Sequence, residues 1–248
     1  MGTWLSLASP FAARMMANAG FDWLTVDLEH TPASYETAAL CFSAIAAGGS
    51  APLARIPWNT GENIKRALDS GAWGVVVPMV NSRAEAELAV RATRYHPQGD
   101  RSIGGQLHAI NFGTDAATYY ARGNEELLLI VMIEHADGVE RAEEILSVPG
   151  IDGVFIGPND LSNSLGLKPE FDSADEKFVS AVNHIRETAR KHGVPSGIHV
   201  ADTAMAERRL KEGFQFIAVS SEAGMMLGKA REITKALQLG EGKQAARY

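Results

Sequence analysis

The chain has 248 residues, a formal net charge of −7 and an apolar fraction of 46%, values that suit a globular protein of one large or two small domains. Its acidic balance and the lack of a Lys/Arg cluster argue against nucleic-acid binding, and no apolar run approaches the roughly 20 residues of a membrane span. The only cysteine, Cys41, rules out an intramolecular disulfide and a cysteine-based zinc site. With no signal peptide visible, we expect the protein in the cytoplasm.

Apolar runs bounded by turn residues alternate with helical patterns along the whole chain. Such runs are typical of strands buried on both faces of a parallel sheet. The eight predicted strands cover residues 3–8, 22–29, 51–57, 73–80, 127–134, 153–158, 195–200 and 216–221. A helical segment follows each strand. This repeat favours an α/β fold of the (β/α)8 TIM-barrel type over a doubly wound sheet, as one domain over residues 1–248 with a polar tail from about 240.

Glycine marks the predicted ends of several helices, where it is expected to form a left-handed C-cap. These positions are Gly20, Gly48, Gly71, Gly193 and Gly213. Residues 96–126 break the strand-helix rhythm, because they are rich in glycine and carry two adjacent tyrosines, Tyr119 and Tyr120. We predict a long loop there with a functional or interfacial role.

Ionisable side chains stand at the predicted strand ends, which in a barrel meet at one rim. They are Asp27, Glu29, His30, Arg55, Glu134, Asp160 and His199. Glu134 and Asp160 come from adjacent strands and offer only oxygen ligands, which suit a hard divalent cation such as Mg²⁺ or Mn²⁺. The alternative for Asp160 is that it caps the helix that follows.

His30 and Arg55 complete the candidate catalytic set. His30 is a candidate general base, with Asp27 or another acid orienting it, although a structural role is the alternative. Arg55 lies on a buried strand, where a guanidinium suits an oxyanion or carboxylate; the alternative is an internal ion pair with Asp27 or Glu29. No lysine ends a predicted strand, so a Schiff-base mechanism is not expected.

Six segments give the chain a family resemblance. GFDWLTVDLEH, RIPWN, VPMVNSRAEAE, ATRYHPQGDRSIG, the IE of 133–134 and DGVFIGPNDLS resemble the motifs of the HpcH/HpaI aldolases, which are metal-dependent class II pyruvate aldolases. The resemblance implies that Glu134 and Asp160 hold a divalent ion (Mg²⁺, Mn²⁺ or Co²⁺). It also implies that His30 is the base and that Arg55 stabilises the enolate oxygen.

The same resemblance assigns supporting roles. Asp69 falls where the family has an aspartate thought to increase the basicity of the catalytic histidine. Asn159 and Asp160 fall where backbone groups hold the pyruvate carboxylate. Met132 falls beside the substrate, where close relatives carry glutamine. His108 differs from the residue of the best-known aldolases and, with the tyrosine pair, shapes either the aldehyde pocket or an interface.

The function implied is an aldolase that forms and cleaves 4-hydroxy-2-oxo acids, with pyruvate and aldehydes as substrates. The alternatives are another metal-enolate reaction, such as oxaloacetate decarboxylation or citramalyl-type acyl-CoA lysis, and a non-catalytic binding barrel. The resemblance also implies a homo-oligomer, a hexamer built as a trimer of dimers. The last helix, over residues 222–239, would be swapped between its paired subunits.

Overall fold

A computed structural model describes residues 1–239 as a closed barrel of eight parallel strands, in which each strand pairs with its neighbours in chain order. The TIM-barrel prediction is therefore confirmed. The predicted polar tail from about 240 lies outside the described residues. Over the described residues, the helices are all too short or too polar to cross a bilayer.

Seven of the eight strands are shorter than the sequence predicted, and the last has the predicted bounds. The eight strands are β1 Gly2–Leu5, β2 Trp23–Asp27, β3 Ala51–Arg55, β4 Gly74–Val77, β5 Leu128–Met132, β6 Gly153–Ile156, β7 Ser196–Val200 and β8 Phe216–Ser221. The chain stays buried beyond the assigned strand ends, since Val80 and Ile133 have no exposed surface and their N–H groups still donate to the backbone oxygens of Met132 and Phe155. An apolar run therefore indicates burial rather than the bounds of a regular strand, and Glu134 lies two residues beyond β5.

Twelve helices surround the barrel in the described chain. They are α1 Pro10–Ala17, α2 Tyr35–Ala47, α3 Gly61–Asp69, α4 Arg83–Thr93, α5 Leu107–Asn111, α6 Ala116–Glu126, α7 Ala136–Glu140, α8 Ala142–Leu146, α9 Pro158–Ser164, α10 Glu176–His192, α11 Thr203–Lys211 and α12 Glu222–Ala236. Side-chain caps start many of them; Ser34, Thr60 and Ser82, for example, accept a backbone N–H from the first turn. These caps set each helix start directly after a loop from the sheet.

The five glycines predicted as left-handed C-caps should have positive φ, and four of them do. Gly20, Gly71, Gly193 and Gly213 have positive φ. Gly48 has φ −85° and the left-handed residue is Gly49, at φ +87°. Glycine is needed at 48 for another reason, because a Cβ there would lie 2.4 Å from the Cβ of Ala17. The close packing of α2 on α1, rather than a positive φ, therefore explains why residue 48 is glycine.

Alternation along the strands decides which side chains reach the barrel axis. On β5, Ile130 and Met132 join a cluster inside the barrel, whereas Leu129 and Val131 join the layer between sheet and helices. Residue 134 continues the inward series. The same alternation places Phe155 of β6 inside the barrel. The side chains that fill the barrel below the rim are thus apolar, and the Glu134 carboxylate lies above them.

Residues 96–126 do not form the long loop that their glycines predicted, because the segment from 94 to 127 contains α5 and α6. Gly123 is helical: a Cβ there would lie 3.0 Å from the Tyr95 ring, so glycine makes room for that side chain. The segment runs from the end of α4 to the start of β5. Phe112 stacks on Trp73, the residue before β4, at 5.0 Å. The 94–127 segment therefore packs beside the start of β4, at the end of the barrel opposite the carboxyl ends of the strands.

Candidate active site

A cavity of about 170 Å³ opens at the carboxyl ends of the strands. Its polar lining consists of His30, Arg55, Glu134, Asn159, Asp160 and His199. A cavity of about 260 Å³ lies beside α6, but no strand end contributes to it. The smaller cavity is the one in which groups distant in sequence converge.

Glu134 is the most buried ionisable group of this cavity, with 2% of its surface exposed. Its Oε1 accepts the Met79 N–H at 3.0 Å, and Oε2 accepts no hydrogen bond from the described residues. Gly157 leaves the room for Oε2, since a Cβ there would lie 2.1 Å from it. Burial raises the pKa of Glu134 to about 8; the Met79 N–H opposes this rise, and the nearby Asp160 charge adds to it.

Asp160 faces the same cavity from the first turn of α9. The N-cap of that helix is Gly157, so the alternative that Asp160 is the N-cap is wrong. Asp160 is exposed, in contrast to Glu134. The two carboxylates repel one another, which a bound cation would relieve.

This donor set fits a hard divalent cation. The buried Glu134 side chain has one oxygen without a hydrogen-bond partner among the described residues, and Asp160 supplies a second carboxylate from α9, which follows the neighbouring strand β6. Among residues 1–239, no three His, Cys, Asp or Glu side chains are grouped to hold one ion. The protein would therefore contribute two carboxylates and leave the remaining positions to water or substrate oxygens.

Arg55 forms the ion pair that the sequence left as an alternative. Its Nε and Nη2 donate to the two carboxylate oxygens of Asp27, at 2.9 and 2.7 Å, and Nε lies 3.3 Å from Glu29. Trp4 packs under the guanidinium at 4.6 Å. Because Arg55 also lines the cavity, the pairing holds its charge at the site rather than removing it.

Asp27 binds Arg55 and also holds the turn that carries His30. Its Oδ1 accepts the backbone N–H groups of Glu29 and His30, at 3.0 and 3.4 Å. Burial raises the pKa of Asp27, but the Arg55 hydrogen bond and charge and these amides outweigh it, so the net pKa is lowered. Asp27 is therefore an ionised anchor, and it contacts the backbone of His30 rather than its imidazole.

His30 stands at the mouth of the cavity with 64% of its side chain exposed. Its Nε2 lies 3.7 Å from the carboxylate of Glu29, which is therefore the acid nearest to the ring. Burial raises the pKa of Glu29, against the lowering effects of Arg55 and His30. The sequence predicted Asp27 or another acid as the partner of the imidazole, and in the structure the acid beside the ring is Glu29.

Asp69 does not meet His30 within this chain. It ends α3, whose carboxyl end points away from the strand exits, and its Oδ1 accepts from Arg101 at 2.6 Å. The Arg101 side chain is fully buried. In the single chain the structure thus gives Asp69 an ion pair at the opposite end of the barrel, because the helix carries it the length of a strand away from the rim.

His108 and the tyrosine pair also lie away from the cavity. The ring of His108 is 4.3 Å from that of Tyr119 and 5.7 Å from that of Tyr120, and all three residues belong to the 94–127 segment. Of the two alternatives for these residues, the position favours packing over an aldehyde pocket in the same chain.

Apolar side chains form the cavity floor. Met132, predicted near the substrate, lies there with 2% exposure. Trp4 and Phe155 accompany it, with ring centroids 5.5 Å apart. Neither was predicted as a site residue, although both follow from the inward alternation of β1 and β6. The Met79 amide was also missed, and no side-chain pattern would have revealed it.

Comparison with known proteins shows the family of this chain. A family model described as HpcH/HpaI aldolase/citrate lyase matches residues 1–228. The chain belongs to the HpcH/HpaI aldolase/citrate lyase family. Members of this family that resemble it include the 5-keto-4-deoxy-D-glucarate aldolase of Escherichia coli K12, which is 37% identical over 233 residues, covering 94% of this chain and 90% of the relative.

Two further relatives cover nearly the same length. The hydroxypyruvate/pyruvate aldolase of Rhizorhabdus wittichii is 36% identical over 230 residues, which is 93% of this chain and 90% of that protein. The crystal structure of a family protein from Burkholderia cenocepacia J2315 superposes with a TM-score of 0.89 at 35% identity, covering 96% of this chain and 93% of that one. These relatives place the chain among enzymes of the aldolase and lyase type.

Proposed function

We propose that this protein is a divalent-metal-dependent aldolase that forms and cleaves 4-hydroxy-2-oxo acids, with pyruvate as the nucleophile and an aldehyde as the electrophile. One observation carries the proposal: a buried carboxylate with a free oxygen, Glu134, shares a small cavity with Asp160 and with a guanidinium held in place by Asp27. The aldolase relatives support the same reaction class.

Glu134 and Asp160 would hold the ion. When bound, a divalent cation acts as a Lewis acid that polarises the carbonyl of a 2-oxo acid. Arg55 adds a fixed positive charge where negative charge develops on the 2-oxo oxygen. Its guanidinium needs no reorganisation during the reaction, because two hydrogen bonds to Asp27 already hold it in place. The backbone N–H groups of Asn159 and Asp160, in the first turn of α9, are suited to the pyruvate carboxylate.

His30 would move the proton. It takes a proton from C3 of pyruvate, and the resulting carbanion attacks the aldehyde carbonyl, forming the new carbon–carbon bond. The proton then returns to the alkoxide oxygen; cleavage follows the same steps in reverse. The Glu29 carboxylate lies 3.7 Å from the imidazole, and the exposure of His30 allows proton exchange with solvent.

The test is the exchange of the C3 protons of pyruvate with D2O, followed by NMR without any aldehyde. We expect exchange in the presence of Mn²⁺, its loss on adding EDTA and its return with excess Mn²⁺. Glu134→Gln should abolish exchange and weaken Mn²⁺ binding measured by calorimetry, whereas Glu126→Gln, on the exposed face of α6, should change neither. Exchange that persists in EDTA, or in Glu134→Gln, would contradict the proposal.

Product analysis separates the aldolase from the alternatives. With pyruvate and a panel of aldehydes we expect 4-hydroxy-2-oxo acids. Rapid oxaloacetate decarboxylation or cleavage of a citramalyl-type acyl-CoA, with no aldol product, would instead identify another reaction on the same site.

We also propose that the protein is a homo-oligomer, a hexamer of swapped dimers, in which α12 packs on a second copy. Along α12 the only buried residue is Glu222. Its apolar side chains Met226, Leu227 and Ile233 are 60%, 48% and 48% exposed. A helix with so much exposed apolar surface needs a partner. Sedimentation velocity should give a species six times the chain mass, and a monomer at micromolar concentration would contradict this.

A further inference from the structure

His199 is a cavity residue that the proposed mechanism leaves without a role. It lies on β7, where it faces the barrel interior while Ile198 and Val200 are buried in the helix layer. Its ring meets Trp4 and Phe171 edge to face, at 5.7 and 4.8 Å. The same ring lines the cavity that contains Arg55, Glu134 and Asp160. A polar ring clamped between two aromatic side chains in a cavity wall is suited to contact a ligand.

The hydrogen bonding of His199 determines its tautomer. Nε2 lies 3.0 Å from the backbone oxygen of Ser220. A carbonyl oxygen can only accept, so Nε2 carries the hydrogen and donates it. Burial lowers the pKa of His199 to about 4, the Ser220 bond opposes this and the Arg55 charge adds to it, so the ring is neutral at pH 7. In the neutral ring Nδ1 is therefore an acceptor.

Nδ1 is open to the cavity. It accepts no hydrogen bond from the described residues, and it is not enclosed, in contrast to both ring nitrogens of His108. His199 is a lining residue of the candidate active-site cavity. A free lone pair thus faces the position of the substrate.

The backbone holds the Ser220 carbonyl in place at some cost. Ser220 has φ +55°, a conformation that residues other than glycine rarely adopt. Two residues later, Glu222 ties this stretch to the loop after β1 by accepting the N–H groups of Ser6 and Leu7 at 2.6 and 2.7 Å. Met79, whose N–H binds Glu134, also has φ +55°. Strained backbone therefore holds both a candidate ligand and the His199 ring.

As a neutral hydrogen-bond acceptor, His199 Nδ1 favours some ligand groups over others. The lone pair of Nδ1 repels a carboxylate or a phosphate, and an alkyl group leaves it unpaired in a largely buried position. A hydroxyl group satisfies it. The negative groups of a 2-oxo acid are already matched by Arg55 and by the first turn of α9. The remaining substrate component, the aldehyde, is therefore the one that can place a hydroxyl against His199.

We propose that His199 is a specificity-determining residue that accepts a hydrogen bond from a hydroxyl group of the aldehyde, so that hydroxylated aldehydes are preferred over alkyl aldehydes of the same size. This inference rests on the proposed aldolase function and names the substrate class of the same site.

The test compares glycolaldehyde with propanal, which differ by a hydroxyl in place of a methyl group. The ratio of their kcat/KM values should favour glycolaldehyde in the wild type and should fall about 10-fold in His199→Leu. His199→Asn, which can return an acceptor to the position of Nδ1, should recover most of the ratio. A purely structural role would lower both kcat/KM values together and leave the ratio unchanged, which would overturn the inference.

Pyruvate C3 exchange, measured without aldehyde, tells the two failures apart. Exchange that is intact in His199→Leu with an unchanged aldehyde ratio overturns the inference alone, whereas no exchange in the wild type overturns the proposed function and the inference with it. If His199→Leu fails to fold, ¹⁵N NMR of the Mg²⁺-loaded wild type decides. We expect an Nε2–H tautomer at pH 7 and a shift of the Nδ1 resonance with glycolaldehyde but not with propanal; an Nδ1–H tautomer or no selective shift overturns the inference.

Discussion

Asp27→Asn is the substitution for which the structure gives the sharpest expectation. Asparagine keeps the size of the side chain and can keep one acceptor for the turn that carries His30. It replaces the oxygen that accepts from Arg55 Nη2 at 2.7 Å with an NH2 group, so two donors face each other. The side chains of Asp27 and Arg55 are only 7% and 14% exposed. In the variant, the largely buried guanidinium therefore keeps only one of its two hydrogen bonds to residue 27.

The magnitude follows from that burial. Removing one partner of a buried ion pair costs about 3–5 kcal/mol. Glu29 stays 3.3 Å from Arg55 and keeps part of the compensation, so we expect a loss near the lower end, about 3 kcal/mol. Aldol activity should fall by at least about 100-fold, because Arg55 loses the anchor that aims its charge at the substrate oxygen.

Urea unfolding at pH 7 measures the free energy of unfolding, with Asp100→Asn as the matched control. Asp100 also pairs with an arginine at 2.7 Å, but the two side chains are 58% and 67% exposed, so its loss should cost less than about 1 kcal/mol. A loss in Asp27→Asn no larger than that of the control would refute the argument.

The pH dependence of the same variant provides a sign check. The pKa of Asp27 is lowered in the folded protein, since Arg55 and the turn amides outweigh the effect of burial. Its contribution to stability is therefore present above the unfolded pKa of about 3.9 and is lost as the pH falls through the lower, folded value. The difference between wild type and Asp27→Asn should be constant from pH 7 to 5 and shrink below about pH 4. A difference that grows in acid would contradict the assignment.

Three further substitutions test other parts of the site. Arg55→Ala should lower the aldol rate roughly 10²–10³-fold, as for other oxyanion donors, and a near-wild-type rate would remove its proposed role. Gly157→Ala should weaken Mn²⁺ binding measured by calorimetry, because its Cβ would lie 2.1 Å from Glu134 Oε2, whereas Gly153→Ala, with its nearest contact at 3.5 Å, should bind normally. Glu222→Gln should cost about 3 kcal/mol in urea unfolding, because its buried carboxylate binds the amides of three residues; a loss under about 1 kcal/mol would show that those bonds are dispensable.

The sequence predicted the architecture because its pattern is local. Eight buried runs and eight helical segments repeat along the chain, and parallel strands joined by helices place every strand exit on one rim. That rule is why His30, Arg55, Glu134 and Asp160, up to 130 residues apart, were expected together, and the structure does line one cavity with all four.

Local pattern failed where contacts between distant segments set the outcome. Glycines indicated a loop at residues 96–126, yet Gly123 is helical and leaves room for the Tyr95 ring. Gly48 is the C-cap of α2, as predicted, but its φ is negative, and glycine is needed there for the close approach of α1. The position of Asp69 along α3 carries it away from His30 and into an ion pair with Arg101.

The sequence by itself determined the barrel, the order of its strands and the set of ionisable groups at one rim, since periodicity and strand polarity depend only on neighbouring residues. The tertiary structure decided which acid pairs with Arg55, which acid stands beside His30, which oxygen of Glu134 stays free and which nitrogen of His199 faces the cavity. These outcomes depend on distances of 3 to 4 Å between segments far apart in the chain and on the removal of water around the paired groups. A local sequence pattern contains neither kind of information.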